Sequence, residues 1–166
     1  MHFAFRVSHP AFRTHRPRRT IIKNPNLVLL PGLLNDASLF EQQADALADV
    51  AGITIADLTG ADTIGQLAAD TLAAAPDGQF VLVGLSMGGY VALEIMRQAP
   101  ERVRALVLMS TSARPETPEA TATREKLIEL AETKFQTVIE TLLTRMAHPD
   151  RARTPEVGGM FQSSAN

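Results

Sequence analysis

Short apolar runs alternate with amphipathic stretches over the first two thirds of the chain. "NLVLLPG", from Asn26, is an apolar run stopped by Pro31-Gly32, the pattern of a buried strand and a turn. "NDASLFEQQADALADV" then predicts a helix. Ser38 and Glu41 have capping-box spacing, Leu39, Phe40, Ala44, Leu47 and Val50 mark an apolar face, and Gly52 is expected to stop it. "ITIADL" predicts a second strand. "DTIGQLAADTLAAA" predicts a second helix, with Thr63 and Gln66 again at capping-box spacing, and Pro76-Asp77-Gly78 a turn. "QFVLVGL" is a third strand, "GGYVALEIMRQA" a third helix closed by Pro100, and "VRALVLMST" a fourth strand.

Strands that are apolar nearly throughout, alternating with helices, predict an α/β fold. The expected architecture is a parallel sheet of about four strands with flanking helices covering its faces. Beyond Pro115 the period changes. Leu127, Leu130 and Ala131, then Phe135, Val138, Ile139, Leu142 and Met146, recur at helical spacing and predict two amphipathic helices broken near Thr133-Lys134. Four segments follow: a basic, disordered extension (1–24), the α/β core (25–114), a helical segment (115–150) and a disordered tail (151–166).

Composition narrows the function classes. The chain has 166 residues, 45% hydrophobic and 20% charged, which is enough for one domain with a core. The absence of cysteine excludes a disulfide scaffold, a thiolate metal site and a cysteine nucleophile, and fits a cytoplasmic location. No apolar run approaches the roughly 20 residues of a membrane span. Net charge is −2, yet Arg6, Arg13, Arg16, Arg18, Arg19 and Lys23 all precede the first acid, Asp36. The remaining body is acidic and does not read as a nucleic-acid binder. The basic start reads as a disordered extension, with a targeting signal or an anion-binding arm as alternatives. No histidine pair or carboxylate cluster has metal-ligand spacing, and no organic cofactor is implied.

The chemistry centres on Gly84-Leu85-Ser86-Met87-Gly88, a G-x-S-x-G pattern set between a buried strand and a helix. A tight turn there strains the serine backbone, and Cβ atoms two positions to either side would clash. Gly89 lets the helix approach the sheet. The turn lifts the Ser86 hydroxyl above the carboxyl end of the sheet and aims helix N-terminal N–H groups at the same point. Ser86 is the candidate nucleophile, and the Met87 N–H one candidate oxyanion donor. The loop Pro31–Asn35 follows a strand expected beside the serine strand, so the Leu33 N–H is the candidate second donor. A Gly-rich packing turn and an ordinary strand-ending turn are the plain alternatives.

"LVLLPGLLNDASLFEQQADAL", "VLVGLSMGGYVALEIMRQAPERVRALVLMST" and "ARPETPE" together resemble the α/β-hydrolase superfamily, specifically its small esterase- and lipase-like members. The resemblance covers about residues 26–115 well and the helical tail to about 150 loosely. It implies the strand order second, first, third, fourth, and a helical cap formed by Pro115–His148. It also implies acyl-enzyme hydrolysis of a small-molecule ester, amide or thioester, with Ser86 as nucleophile and Leu33 and Met87 as backbone donors.

The pattern departs from the family after the fourth strand. A triad acid and then a histidine should follow on later strands. Only His148 follows Ser86, at the end of a predicted helix, with Asp150 two residues on, and Glu116 and Glu119 are not singled out. The acid and base are therefore unassigned. The apolar fourth strand is expected to be an unpaired edge, open to self-association. The expectation is a C-terminally truncated hydrolase, weak or inactive. The alternatives are a non-catalytic binding module of the same fold and an anion-binding role for the basic start.

Overall fold

The computed structural model describes residues 24–146. The expectations for the basic extension, for the tail 151–166, and for His148 and Asp150 lie outside the described residues.

Four strands form one parallel sheet in the order β2-β1-β3-β4, as the resemblance implied. They are β1 (Asn26–Leu30), β2 (Gly52–Ile55), β3 (Phe80–Leu85) and β4 (Val103–Met109). Between them run α1 (Glu41–Leu47), α2 (Ile64–Ala74) and α3 (Met87–Gln98), and α4 (Pro118–Met146) follows β4.

The central strands β1 and β3 fix the core. Val28, Leu30, Phe80 and Leu82 point to one face, where Leu67 and Ala68 of α2 and Val91, Ala92 and Ile95 of α3 cover them. All nine are buried, so this face carries most of the apolar burial that drives folding. Thr63 caps α2 as its spacing predicts, accepting from the Gln66 N–H at 3.2 Å. The Gln66 side chain does not complete the box. It donates to Asp70 at 2.7 Å instead. Arg102 locks the turn before β3, donating to the carbonyls of Gly78 and Pro76 at 2.7 and 2.8 Å while stacking over Phe80.

The other sheet face is built by alternate residues in register. Ile55, Leu29, Val83 and Val107 form one row across four strands, and Leu85 lies beside Met109 in the next. Cover thins along the row: Leu29 is buried, and Val107 is exposed.

The first helix departs from its prediction. Ala37–Phe40 is a 3-10 turn, and its cap is Asp36, whose carboxylate accepts from the Ser38 N–H at 2.9 Å and from the Ser38 hydroxyl. Ser38 therefore sits inside the turn, and no Ser38/Glu41 box forms. Asp36 takes the cap because its carboxylate reaches the N–H two residues on, an Asx turn. Gly52 does not stop the helix. The helix ends at Leu47, whose carbonyl accepts from Val50 and Ala51, and Gly52 opens β2. Of the predicted apolar face only Phe40 is buried, and Val50 is exposed.

The two helices expected beyond Pro115 appear as one helical span, broken where predicted. Lys134 has φ −140 and ψ 51, outside helical geometry. Val138 and Ile139, beyond the break, are buried.

Candidate active site

The turn from β3 to α3 is tight enough to force unusual backbone. Ser86 has φ 52 and ψ −115, a region that L side chains rarely occupy. The flanking glycines make the turn possible. A Cβ on Gly84 would lie 2.5 Å from the Gly88 carbonyl oxygen and 2.8 Å from the Gly89 Cα. A Cβ on Gly88 would overlap the Leu30 carbonyl and lie 2.6 Å from that of Pro31. A Cβ on Gly89 would meet the Thr111 side chain at 2.5 Å. The strand, helix and neighbouring loop thus pack backbone against backbone around the serine.

Three strands hold this turn. The Ser86 N–H donates to the Met109 carbonyl of β4 at 2.9 Å. The Ser86 carbonyl accepts from the Gly89 N–H and from the Thr111 hydroxyl, both at 2.9 Å. The β1 side approaches through Gly32, where an added Cβ would stand 3.5 Å from the Ser86 Cβ. The Pro31–Asn35 loop is therefore beside the serine, as the strand order requires. Thr111 is a residue that sequence reasoning missed. A hydroxyl two residues past a strand carries no sign of which way it reaches.

Backbone strain gathers at this end of the sheet. Leu34 follows β1 at φ 60, Ser86 follows β3 at φ 52, and Ser110 follows β4 at φ 48. Such conformations persist only where the surroundings hold them.

The Ser86 hydroxyl makes no hydrogen bond among the described residues. The Met87 N–H opens α3, where helix geometry provides no acceptor. The Leu33 N–H likewise has no acceptor among the described residues, although its carbonyl accepts from the Asn35 amide at 3.2 Å. Leu33 and Met87 both line a cavity of about 830 Å³ that extends beneath the loops after β1 and β2. Leu34, Leu58, Ile64 and Leu67 supply much of its apolar wall. Ser86 itself is not part of that wall. Asp57 is, and its carboxyl is held below the usual range because the Thr59 hydroxyl and N–H both donate to it.

Glu116 accepts from Arg124 at 2.8 Å and from Thr121 at 2.9 Å, and the Arg124 bond holds its carboxyl below the ordinary value. Among the described residues no group of histidine, aspartate and glutamate side chains could hold a metal ion, and no helix is long and apolar enough to cross a membrane. All four histidines of the chain, at 2, 9, 15 and 148, lie outside the described residues.

Residues 25–154 match the family model described as alpha/beta hydrolase fold. The chain belongs to that family. Its curated relatives include the pimeloyl-[acyl-carrier protein] methyl ester esterase of Vibrio parahaemolyticus, 32% identical over 98 residues. That match covers 54% of this chain and 38% of the relative. The corresponding esterase of Vibrio campbellii is 31% identical over the same span. The chain thus spans well under half the length of the curated relatives it matches. Among solved structures, the enol-lactonase from Burkholderia xenovorans superposes with a TM-score of 0.68 at 26% identity, covering 85% of this chain and 58% of that one. A thermophilic esterase from Thermogutta terrifontis also gives 0.68, at 24% identity, covering 84% and 57%. The second likeness speaks for the fold alone.

Proposed function

We propose that this chain carries the nucleophile half of a serine ester hydrolase. The observation that carries the reading is Ser86 at φ 52, held between a buried strand and a helix by glycines that leave no room for a Cβ. The Ser86 Oγ attacks the carbonyl carbon of a small ester, amide or thioester. The new C–O bond forms as the carbonyl oxygen takes on negative charge, and the Leu33 and Met87 N–H groups stabilise that charge. The oxyanion then collapses, the alcohol, amine or thiol leaves with a proton, and water releases the acid from Ser86. The 830 Å³ cavity beside both donors accommodates the apolar part of such a substrate. The esterase and lactonase relatives support this reaction class, and α4 as a cap belongs to the same reading.

The proton from Ser86 needs a base, and the described residues include no histidine. The second reading is a binding module that keeps the fold and pocket without catalysis. Labelling with a fluorophosphonate separates the two. One equivalent of label on Ser86, abolished by Ser86→Ala, supports the hydrolase. A folded chain that takes up no label sinks it and leaves the binding module.

A further inference from the structure

The Leu33 N–H sits on a turn that one residue holds twice. The chain reverses over Gly32–Asn35, closed by the Asn35 N–H donating to the Gly32 carbonyl at 3.2 Å. Leu33 has a negative φ and Leu34 a φ of 60, the sign pattern of a type II turn. The third position of such a turn belongs by preference to glycine, and here a leucine occupies it. Leu33, 53% exposed, gives the turn little packing to rest on. Hydrogen bonds therefore carry much of the hold on its shape.

Asn35 donates two of them. Its backbone N–H holds the Gly32 carbonyl, and its side-chain amide donates to the Leu33 carbonyl at 3.2 Å. These carbonyls belong to the two peptide groups that bracket Leu33. The first peptide matters most. Its oxygen is the Gly32 carbonyl and its hydrogen is the Leu33 N–H, and in a planar trans peptide the two point in opposite directions. Fixing the oxygen fixes the direction of the N–H. A hydrogen bond accepted by that carbonyl also polarises the peptide and makes its N–H a stronger donor. The second bond keeps the next peptide in the orientation that Leu34 at φ 60 requires. Without it, that peptide is free to flip toward a type I turn, in which Leu34 returns to negative φ. The asparagine also lies close to the serine. A Cβ on Gly32 would stand 3.7 Å from the Asn35 Oδ1 and 3.5 Å from the Ser86 Cβ.

We propose that Asn35 is the positioning residue for the Leu33 oxyanion donor, acting through the turn and not by contact with the substrate. The inference rests on the reading of Ser86 as nucleophile and Leu33 as donor.

A fluorophosphonate tests it, because the Ser86 Oγ displaces fluoride from phosphorus while the phosphoryl oxygen takes the place of the oxyanion. Saturation kinetics separate binding of the probe from the rate at which bound probe reacts. Asn35→Ala should lower that rate about tenfold or more, within the roughly hundredfold that a misplaced catalytic group can cost, and leave probe binding within about twofold. Asn35→Asp, similar in shape but ionised and unable to donate from its side chain, should lose as much. The end point of labelling counts the folded chains, so unfolding does not imitate the effect. Leu34→Gly supplies the rescue. Glycine adopts φ 60 freely, so the turn then needs no side-chain bond, and adding Asn35→Ala to Leu34→Gly should cost less than about twofold. An unchanged reaction rate in Asn35→Ala, a loss confined to probe binding, or an equal loss in both backgrounds overturns the proposal. A parent that takes no label sinks the hydrolase reading instead, and amide hydrogen exchange then reads the turn. Faster exchange at the residue 35 N–H in Asn35→Ala, slowed again by Leu34→Gly, supports the hold on Leu33, and unchanged exchange overturns it.

Discussion

The Thr111 hydroxyl reaches back across the end of β4 and donates to the Ser86 carbonyl at 2.9 Å, while the same side chain fills the space that a Cβ on Gly89 would need. One threonine thus holds the strained serine by a hydrogen bond and closes the helix against the sheet by contact. Thr111→Val keeps the shape and removes the donor, leaving a half-buried carbonyl with one partner fewer. The expected cost is about 1 kcal/mol in urea unfolding. The rate of Ser86 labelling should fall as well, and Thr111→Ser should restore it. A purely packing role would leave Thr111→Val and the parent equally reactive.

Ser86 itself separates strain from chemistry. Glycine tolerates φ 52 without a Cβ penalty, so Ser86→Gly should stabilise the fold by about 1 kcal/mol. Ser86→Ala retains the Cβ and should leave stability near that of the parent. Both should abolish labelling. Thermal melts of the three proteins decide the matter, and no gain for glycine would mean that the turn stores no strain.

Gly88→Ala is expected to be the most damaging single methyl in the molecule. Its Cβ would overlap backbone carbonyls of Leu30 and Pro31, which sit at the end of the central strand and cannot move independently. A loss of about 3 kcal/mol or more is expected, at the upper end of overpacking. Gly65→Ala is the control. Its nearest neighbour would be the Glu94 carboxylate at 3.9 Å, and the extra methyl adds helix propensity within α2.

Glu94 sets a pH window. Arg97 and Gln98 both hydrogen-bond its carboxylate, and the Arg97 bond foremost lowers its pKa from 4.5 to about 2. The folded value lies below the unfolded one, so the stabilisation is complete above about pH 4.5 and fades as pH falls toward 2. Asp57 and Glu116 are lowered too and act in the same direction. Melting temperatures of the parent should therefore drop through this range. Glu94→Gln should lessen the slope there by lowering the melting temperature above about pH 4.5, the two proteins converging toward pH 2, and added salt should weaken the difference.

The sheet was legible because its signals are local. Buried parallel strands are apolar on both faces, and Thr63, Gly78 and Pro100 mark their neighbours by turn and cap chemistry. The break at Lys134 lies between the two groups of apolar positions, the first ending at Ala131 and the second starting at Phe135. The start of the first helix was misread because Asp36 and Ser38 are both good caps two residues apart, and spacing alone cannot choose between them. At the site, Ser86, Gly84 and Gly88 were legible because the turn admits few residue types. Thr111 and the Met109 carbonyl were not, since each acts across space on a residue far along the chain. The glycine requirement at 88 also proved to come from Leu30 of β1 and from Pro31 just after it, a neighbour that only strand order reveals.

That separation has a kinetic side. The Ser86 turn is fixed by β1 beneath Gly88 and by Thr111, 25 residues further along, so no local segment can shape it alone. Closing such loops is slow relative to forming a single helix. The serine should acquire its reactive geometry only when β4 has docked, which makes chemical labelling of Ser86 a late clock for folding. A nascent chain stopped before β4 would expose the G-x-S-x-G sequence as an ordinary flexible loop. On the proposed reading, reactivity at Ser86 would belong to the assembled sheet and not to the G-x-S-x-G segment alone.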